Sequence, residues 1–220
     1  MNRYRQIIWD WNGTLWDDTW LCVEINNRML SRRGLPAIDI GIYQDRLCFP
    51  VDRYYCQLGF DYERDPYPRL AEEFIAEYER RRFECGLQEG ARELIAALHD
   101  QALPQAVLSA YQHDALLQAV EYFRLTSFFN DIIGLNDIYA AGKVENGKKY
   151  IAEIGCDPAT ILFIGDTVHD YEVACAMGVD CVLVANGHNS RPRLEACGVS
   201  VFDTLRAIQA SGLLDPSSCD

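Results

Sequence analysis

Short, almost unbroken apolar runs at 6–11, 105–110, 131–135, 160–165 and 180–185, with a weaker one at 199–202, recur along the chain between helical patterns. A strand wet on one face alternates apolar and polar residues; a strand buried on both faces does not. The runs therefore predict buried strands. Their alternation with helices predicts an α/β fold around a parallel sheet. Leu94, Ile95 and Leu98 in 89–100, and Leu116, Leu117, Val120 and Phe123 in 113–124, fall on single helical faces, as crossover helices require.

The segment 17–85 breaks this rhythm. It holds no convincing strand, but an apolar stripe of Leu21, Ile25 and Met29 stops at Gly34-Leu35-Pro36, and one of Leu70, Phe74 and Tyr78 stops near Gly86. A shorter helix is expected over 50–58, closed by Gly59. The pattern predicts a helical cap domain at 17–85 inserted into a core made of 1–16 and 86–220, with hinges near 15–18 and 85–88. The last residues, 215–220, are expected to fray.

With 220 residues the chain can bury a substantial core without disulfide or metal staples. No apolar run approaches the ~20 residues of a spanning helix, and the start lacks a signal-peptide pattern, so a soluble cytoplasmic protein is expected. Nine cysteines stand singly and fit a reduced compartment, with burial as small hydrophobes the main expectation for them. A formal charge of −13 argues against nucleic-acid and membrane partners. It also means that an anionic ligand needs local positive charge from a metal ion or a lysine.

Acidic loops follow two of the expected strands: Asp10-Trp11-Asn12-Gly13-Thr14 after the first, and Gly165-Asp166-Thr167-Val168-His169-Asp170 after the fourth. Ligands of open α/β sheets bind at the C-terminal strand edge, where both loops fall. Asp10 and Asp166 together suit a hard cation such as Mg2+, which takes one or two carboxylates and keeps room for a phosphate oxygen. Either loop alone is equally well explained by turn and cap chemistry. Ser109, at the end of the second strand, has a hydroxyl able to reach phosphate, although a helix cap is the commoner role there. Lys143, Lys148 and Lys149 offer the missing positive charge, and each alone reads as surface.

Taken together, Asp-x-x-Gly-Thr, a strand-terminal serine, a lysine and Gly-Asp-x-x-x-Asp resemble the haloacid dehalogenase superfamily. The helical insertion is similar to that of the subfamily containing phosphoglycolate phosphatase, β-phosphoglucomutase and the dehalogenases. The resemblance implies a Rossmann-like core with a mobile cap and a small phosphorylated metabolite as substrate. It implies Asp10 as nucleophile and an aspartyl-phosphate intermediate. Asp10, Asp166 and the Asn12 carbonyl would hold Mg2+, and Ser109, Ala110, Gly13 and Lys143 would meet the phosphoryl group. Asp170 would orient the lysine or a water. Among the lysines Lys143 is preferred, although Val144 replaces the family's usual proline.

Asn12 departs from the pattern, because family phosphatases carry there a second aspartate that shuttles the proton. An amide cannot do so. Asp17, Asp18 and His169 stand close by in sequence as substitutes, with hinge, cap or supporting roles the larger expectation. A phosphate-ester hydrolase is thus expected, with a phosphoryl-transfer enzyme or a phospholigand-binding protein of low turnover as alternatives. Arg32, Arg33, Arg46 and Arg53 are candidates for an anionic substrate, against a larger expectation of surface positions.

Overall fold

The computed structural model describes residues 3–138 and 143–215. Its elements run β1 (Gln6–Trp9), α1 (Thr19–Ser31), α2 (Ile40–Arg46), α3 (Val51–Gln57), α4 (Tyr67–Arg81), α5 (Ala91–Asp100), β2 (Gln105–Gln112), α6 (His113–Tyr122), β3 (Asp131–Leu135), α7 (Val144–Ile154), β4 (Ile161–Gly165), α8 (Val168–Met177), β5 (Asp180–Val184), α9 (Arg191–Glu195), β6 (Ser200–Phe202) and α10 (Leu205–Ala210). Residues 216–220, expected to fray, lie outside the described residues.

All six strands are parallel, in the order β3-β2-β1-β4-β5-β6. The chain winds outward in one direction from β1 through β2 to β3, and in the other from β4 through β5 to β6. Between β1 and β4 the direction reverses, which opens a crevice at their C-terminal ends.

Alternate strand residues serve different layers. Ile7, Trp9, Val107, Leu162 and Ile164 join a cluster with Leu94, Leu98, Leu116, Val120 and Ile208 from α5, α6 and α10. Ile8, Ala106, Leu108, Ile161 and Phe163 join another with Tyr150, Val173, Ala174 and Met177 from α7 and α8. Both faces are buried, which is why the runs lack polar alternation. At roughly 1.5–3 kcal/mol for each large side chain removed from water, these layers dominate the stabilisation.

Two strand ends differ from the expectation by two residues, the others by one at most. β1 stops at Trp9, because the chain turns away to form the Asp10 loop, with Leu15 and Trp16 both donating their amides to the Trp11 carbonyl. β2 runs on to Gln112, through a register irregularity between Leu108 and Gln112. The cap of α6 is accordingly Gln112, whose side chain accepts from the Ala115 amide, and not Ser109.

Residues 19–84 are helical, with no strand. α2 was not anticipated: it has seven residues, includes Gly41 and buries only Tyr43, too little for a periodic signal. The two crossings into and out of this segment lie side by side. Asp17 donates its amide to the Gly86 carbonyl and Gln88 to that of Leu15, each at 2.9 Å.

The described cysteines are all free, but only Cys22 and Cys85 are buried, so the expectation of core cysteines holds for a minority. Cys219 lies outside the described residues. No helix among the described residues is long and apolar enough to cross a membrane.

Candidate active site

Asp10 follows β1 and Asp166 follows β4, so the two carboxylates flank the crevice where the winding reverses. Both side chains are buried, and so is Asp170 in the first turn of α8. Carboxylate oxygens of Asp10, Asp166 and Asp170 lie within 4.8 Å of one another. Thr14 joins the first two, its hydroxyl reaching Asp166 Oδ1 at 2.7 Å and Asp10 Oδ2 at 3.3 Å.

The loops approach this closely only without side chains at two positions. Gly13 has φ +78°, and a Cβ there would collide with the Asp166 carboxylate and the His188 ring. A Cβ on Gly187 would strike the same carboxylate. That crowding leaves the Asp166 carboxylate to accept from the His188 amide.

Lys143 immediately precedes α7, where its side chain turns back to the strand edge and is 2% exposed. Its Nζ pairs with Asp10 Oδ1, lies 2.7 Å from Asp170 Oδ1 and donates to the Leu108 carbonyl at 3.0 Å. Lys148 and Lys149 instead pair on the surface with Glu145 and Glu153. Asp170 Oδ2 also accepts from the Thr167 hydroxyl and from the amides of Thr167 and Asp166. That carboxylate is thereby locked in place.

Three buried carboxylates lie together and the one ammonium among them pairs with two, Asp10 and Asp170, and the electrostatics follow. Burial pushes the Asp10 carboxyl well above its usual range, with Lys143 opposing and the Asp170 and Asp166 charges adding to the rise. Burial and the Asp170 charge bring Asp166 to about 6 against the opposing pull of His188. For Asp170 the lysine overcomes burial and the carboxyl lies below its usual range. Buried negative charge in excess of its cations, on hard oxygen donors, is the condition a divalent cation relieves. The donor set fits such an ion.

Ser109 is buried, its Oγ accepting from the Tyr111 amide at 3.0 Å, and with Ala110 it faces the same cavity as Asp10 and Lys143. That cavity has a volume of about 460 Å³. Arg32 and Arg33 pair with Glu73 and Asp65, and Arg46 donates to the Gln57 carbonyl. None of these, nor Arg53, lines the cavity.

Asn12 is held rather than free. Its Nδ2 donates at 2.8 Å to both Asp18 Oδ2 and the Tyr78 hydroxyl, and that hydroxyl donates to Asp18 at 2.6 Å. Asp18 Oδ1 accepts from the Gly13 amide at 2.9 Å and pairs with His188 Nε2 at 3.2 Å. The other ring nitrogen of His188 meets the Tyr43 hydroxyl at 2.9 Å. Burial alone would raise the Asp18 carboxyl, but His188, Tyr78 and Asn12 hold it below its usual range. Burial would likewise lower His188, and the Asp18 charge instead brings it to about 9.

Asp18 is therefore an ionised anchor at neutral pH, Asp17 is exposed, and His169 stacks on Phe49. His188, Tyr78 and Tyr43 were missed in the sequence. They reach Asp18 from distant segments, and no local spacing marks them.

The Haloacid dehalogenase-like hydrolase family model matches residues 7–184. The chain belongs to that family. It is 29% identical over 131 residues to a phosphoglycolate phosphatase of Pseudomonas fluorescens, an alignment covering 59% of this chain and 48% of that protein. The chain thus matches about half the length of that relative. It is 25% identical over 202 residues to an N-acetylmuramic acid 6-phosphate phosphatase of Pseudomonas putida, covering 84% and 85% of the two chains. The solved structure of a haloacid dehalogenase-like hydrolase from Streptococcus pneumoniae superposes with a TM-score of 0.80 at 16% identity, over 95% of this chain and 98% of that one. At that identity the likeness is one of fold.

Proposed function

We propose that this hydrolase-family chain is a Mg2+-dependent phosphomonoesterase of small phosphorylated molecules, similar to the phosphoglycolate phosphatases, with residues 17–85 as a cap over the site. The observation carrying the reading is the cluster at the crevice: Asp10 in the cavity lining, Lys143 against it, and Asp166 and Asp170 beside them. Phosphoryl transfer depends mainly on positioning and on neutralising the charge of the equatorial oxygens, and these side chains supply both.

Asp10 carboxylate attacks phosphorus, the bond from phosphorus to the leaving oxygen breaks with its electron pair on that oxygen, and an aspartyl phosphate results. Lys143 and Ser109 hold the transferring oxygens, while Asp170 fixes the ammonium in place. Asp10, Asp166 and the Asn12 carbonyl would hold Mg2+, which supplies charge neutralisation that the acidic cluster lacks. Water then attacks phosphorus and frees Asp10. Asn12 gives no proton in the first half and takes none in the second.

A specific observation favours a second reading. The amide at position 12 is fixed against Asp18, so the intermediate would be hydrolysed slowly and could pass its phosphoryl group to another acceptor. Phosphate release from a panel of phosphate esters with Mg2+ tests the first reading. Transfer to an added alcohol, detected as a new ester without free phosphate, would favour the second.

A further inference from the structure

The helical segment gives the cavity an apolar wall, formed in part by Leu47, Val51, Tyr55, Phe74 and Ile75. Of its basic side chains, Lys143 and His188 are already matched by Asp10 and Asp170 and by Asp18, and burial pushes the pKa of His169 below its usual range, which leaves that ring uncharged at neutral pH. No arginine lines it among the described residues, and the undescribed stretch 139–142, Tyr-Ala-Ala-Gly, contains no cationic side chain. Asp18, Glu79 and Asp114 line it as well. A leaving group ending in a carboxylate would meet apolar surface and three acidic residues, with no unmatched cation to receive it.

Two polar atoms on this wall lack partners. Asn26, 2% exposed, donates Nδ2 to the Cys22 carbonyl, but its Oδ1 is unpaired, as is the hydroxyl of Tyr54 at 1% exposure. Asp18, Cys22 and Asn26 all line the cavity at a spacing of four residues. They therefore form a stripe on one face of α1 and its entry, with Asn26 about 12 Å along the helix from Asp18. Leaving a buried carbonyl unpaired is costly, and a donor on a bound molecule would remove that cost.

We infer that the substrate is an aryl phosphate with an uncharged body of about two rings and a hydrogen-bond donor at its far end. The inference rests on the proposed phosphatase reading and narrows it. Asn12 points independently the same way. When the bond from phosphorus to the aryl oxygen breaks, the electron pair stays on that oxygen and the aryloxide leaves without a proton, which it takes up later from solvent. An alkoxide has no such route and needs an acid, which this site lacks near Asn12. Both ring nitrogens of His188 are engaged, by Asp18 and Tyr43, and His169, stacked on Phe49 in the same cavity, has its pKa lowered by burial, so neither histidine supplies it.

The test measures kcat/KM with Mg2+ for 2-naphthyl phosphate, 6-hydroxy-2-naphthyl phosphate and 2-phosphoglycolate. The naphthyl esters should exceed phosphoglycolate by about 10²-fold or more, the low end of what acid catalysis contributes. The hydroxyl should add a further gain that disappears in Asn26→Ala. Ile75→Arg, at a half-buried position, should narrow the gap between the ester classes. Phosphoglycolate turned over as well as the naphthyl esters would overturn the substrate class and leave the phosphatase reading standing. No release from any ester would instead remove the phosphatase reading. Calorimetry on the wild-type protein would then decide: 2-naphthol bound and glycolate not bound upholds the cavity's selectivity, and the reverse overturns it.

Discussion

The loops after β1 and β4 and the wall contributed by α1–α4 meet in one cavity but are built on opposite terms. At the strand edge most polar atoms are matched, His169 Nε2 excepted: Asp170 by itself engages Lys143, the Thr167 hydroxyl and two amides. On the helical wall the surface is apolar, and the polar atoms of Asn26 and Tyr54 are left open. Fixed charges and satisfied hydrogen bonds keep reactive groups in place without reorganisation, as phosphoryl transfer needs. Open acceptors and apolar surface wait for a particular molecule. On the proposed reading the chemistry falls to the strand edge and the choice of leaving group to the helices.

The largest effect should come from the edge. Asp10→Asn is expected to lower kcat by at least about 10³-fold with an unchanged melting temperature, as loss of a nucleophile does. Turnover within tenfold of wild type would show that the edge does not carry the chemistry. Chelation of Mg2+ should remove activity to a similar extent and restore it on re-addition of the metal. Activity that survives excess chelator would take the metal out of the mechanism.

Asn12→Asp tests the boundary between the two regions. The new carboxylate would face Asp18 where the amide now donates at 2.8 Å, and two such neighbours cannot both ionise easily. One is then protonated, the form an acid catalyst needs. Alkyl phosphate hydrolysis should rise by about 10²-fold or more, and stability should fall by roughly 1–3 kcal/mol, partly regained in Asn12→Asp/Asp18→Asn. Unchanged alkyl rates would mean that proton transfer does not limit this step.

The Asp18–His188 pair should tie stability to pH. The pKa of His188 is raised from 6.5 to about 9, so its contribution is complete below about 6.5 and is lost as pH rises through about 9. Asp18 is depressed, so its contribution is present above its unfolded value near 3.8 and is lost as pH falls through its lower folded value. Denaturant midpoints should therefore fall on both sides of this window, and His188→Gln should flatten the alkaline limb. A limb unaltered in that variant would assign the loss to other groups. The smallest effect is expected from Tyr78→Phe, which removes one hydroxyl from Asp18 and Asn12 and should cost about 1 kcal/mol in chemical denaturation.

The parallel sheet and its acidic loops were legible in the sequence because their signals are local. A strand buried on both faces needs a run such as Ile7-Ile8-Trp9, and the turn behind Asp10 needs a residue such as Gly13 at positive φ. The helices of 17–85 were legible where a stripe was long, at Leu21, Ile25 and Met29, and not at seven-residue α2. Tertiary structure decided the rest. Lys143 was one of three lysines until the fold set it against Asp10 and Asp170 and left the other two on the surface. Asp18 could be a hinge or an acid until His188, 170 residues on in the chain, was placed beside it with Tyr78 and Tyr43. The physical reason is range. Backbone conformation and the pattern of burial depend on neighbours a few residues away, whereas the charge state of a buried group and the shape of a cavity depend on partners that only the packed chain brings together.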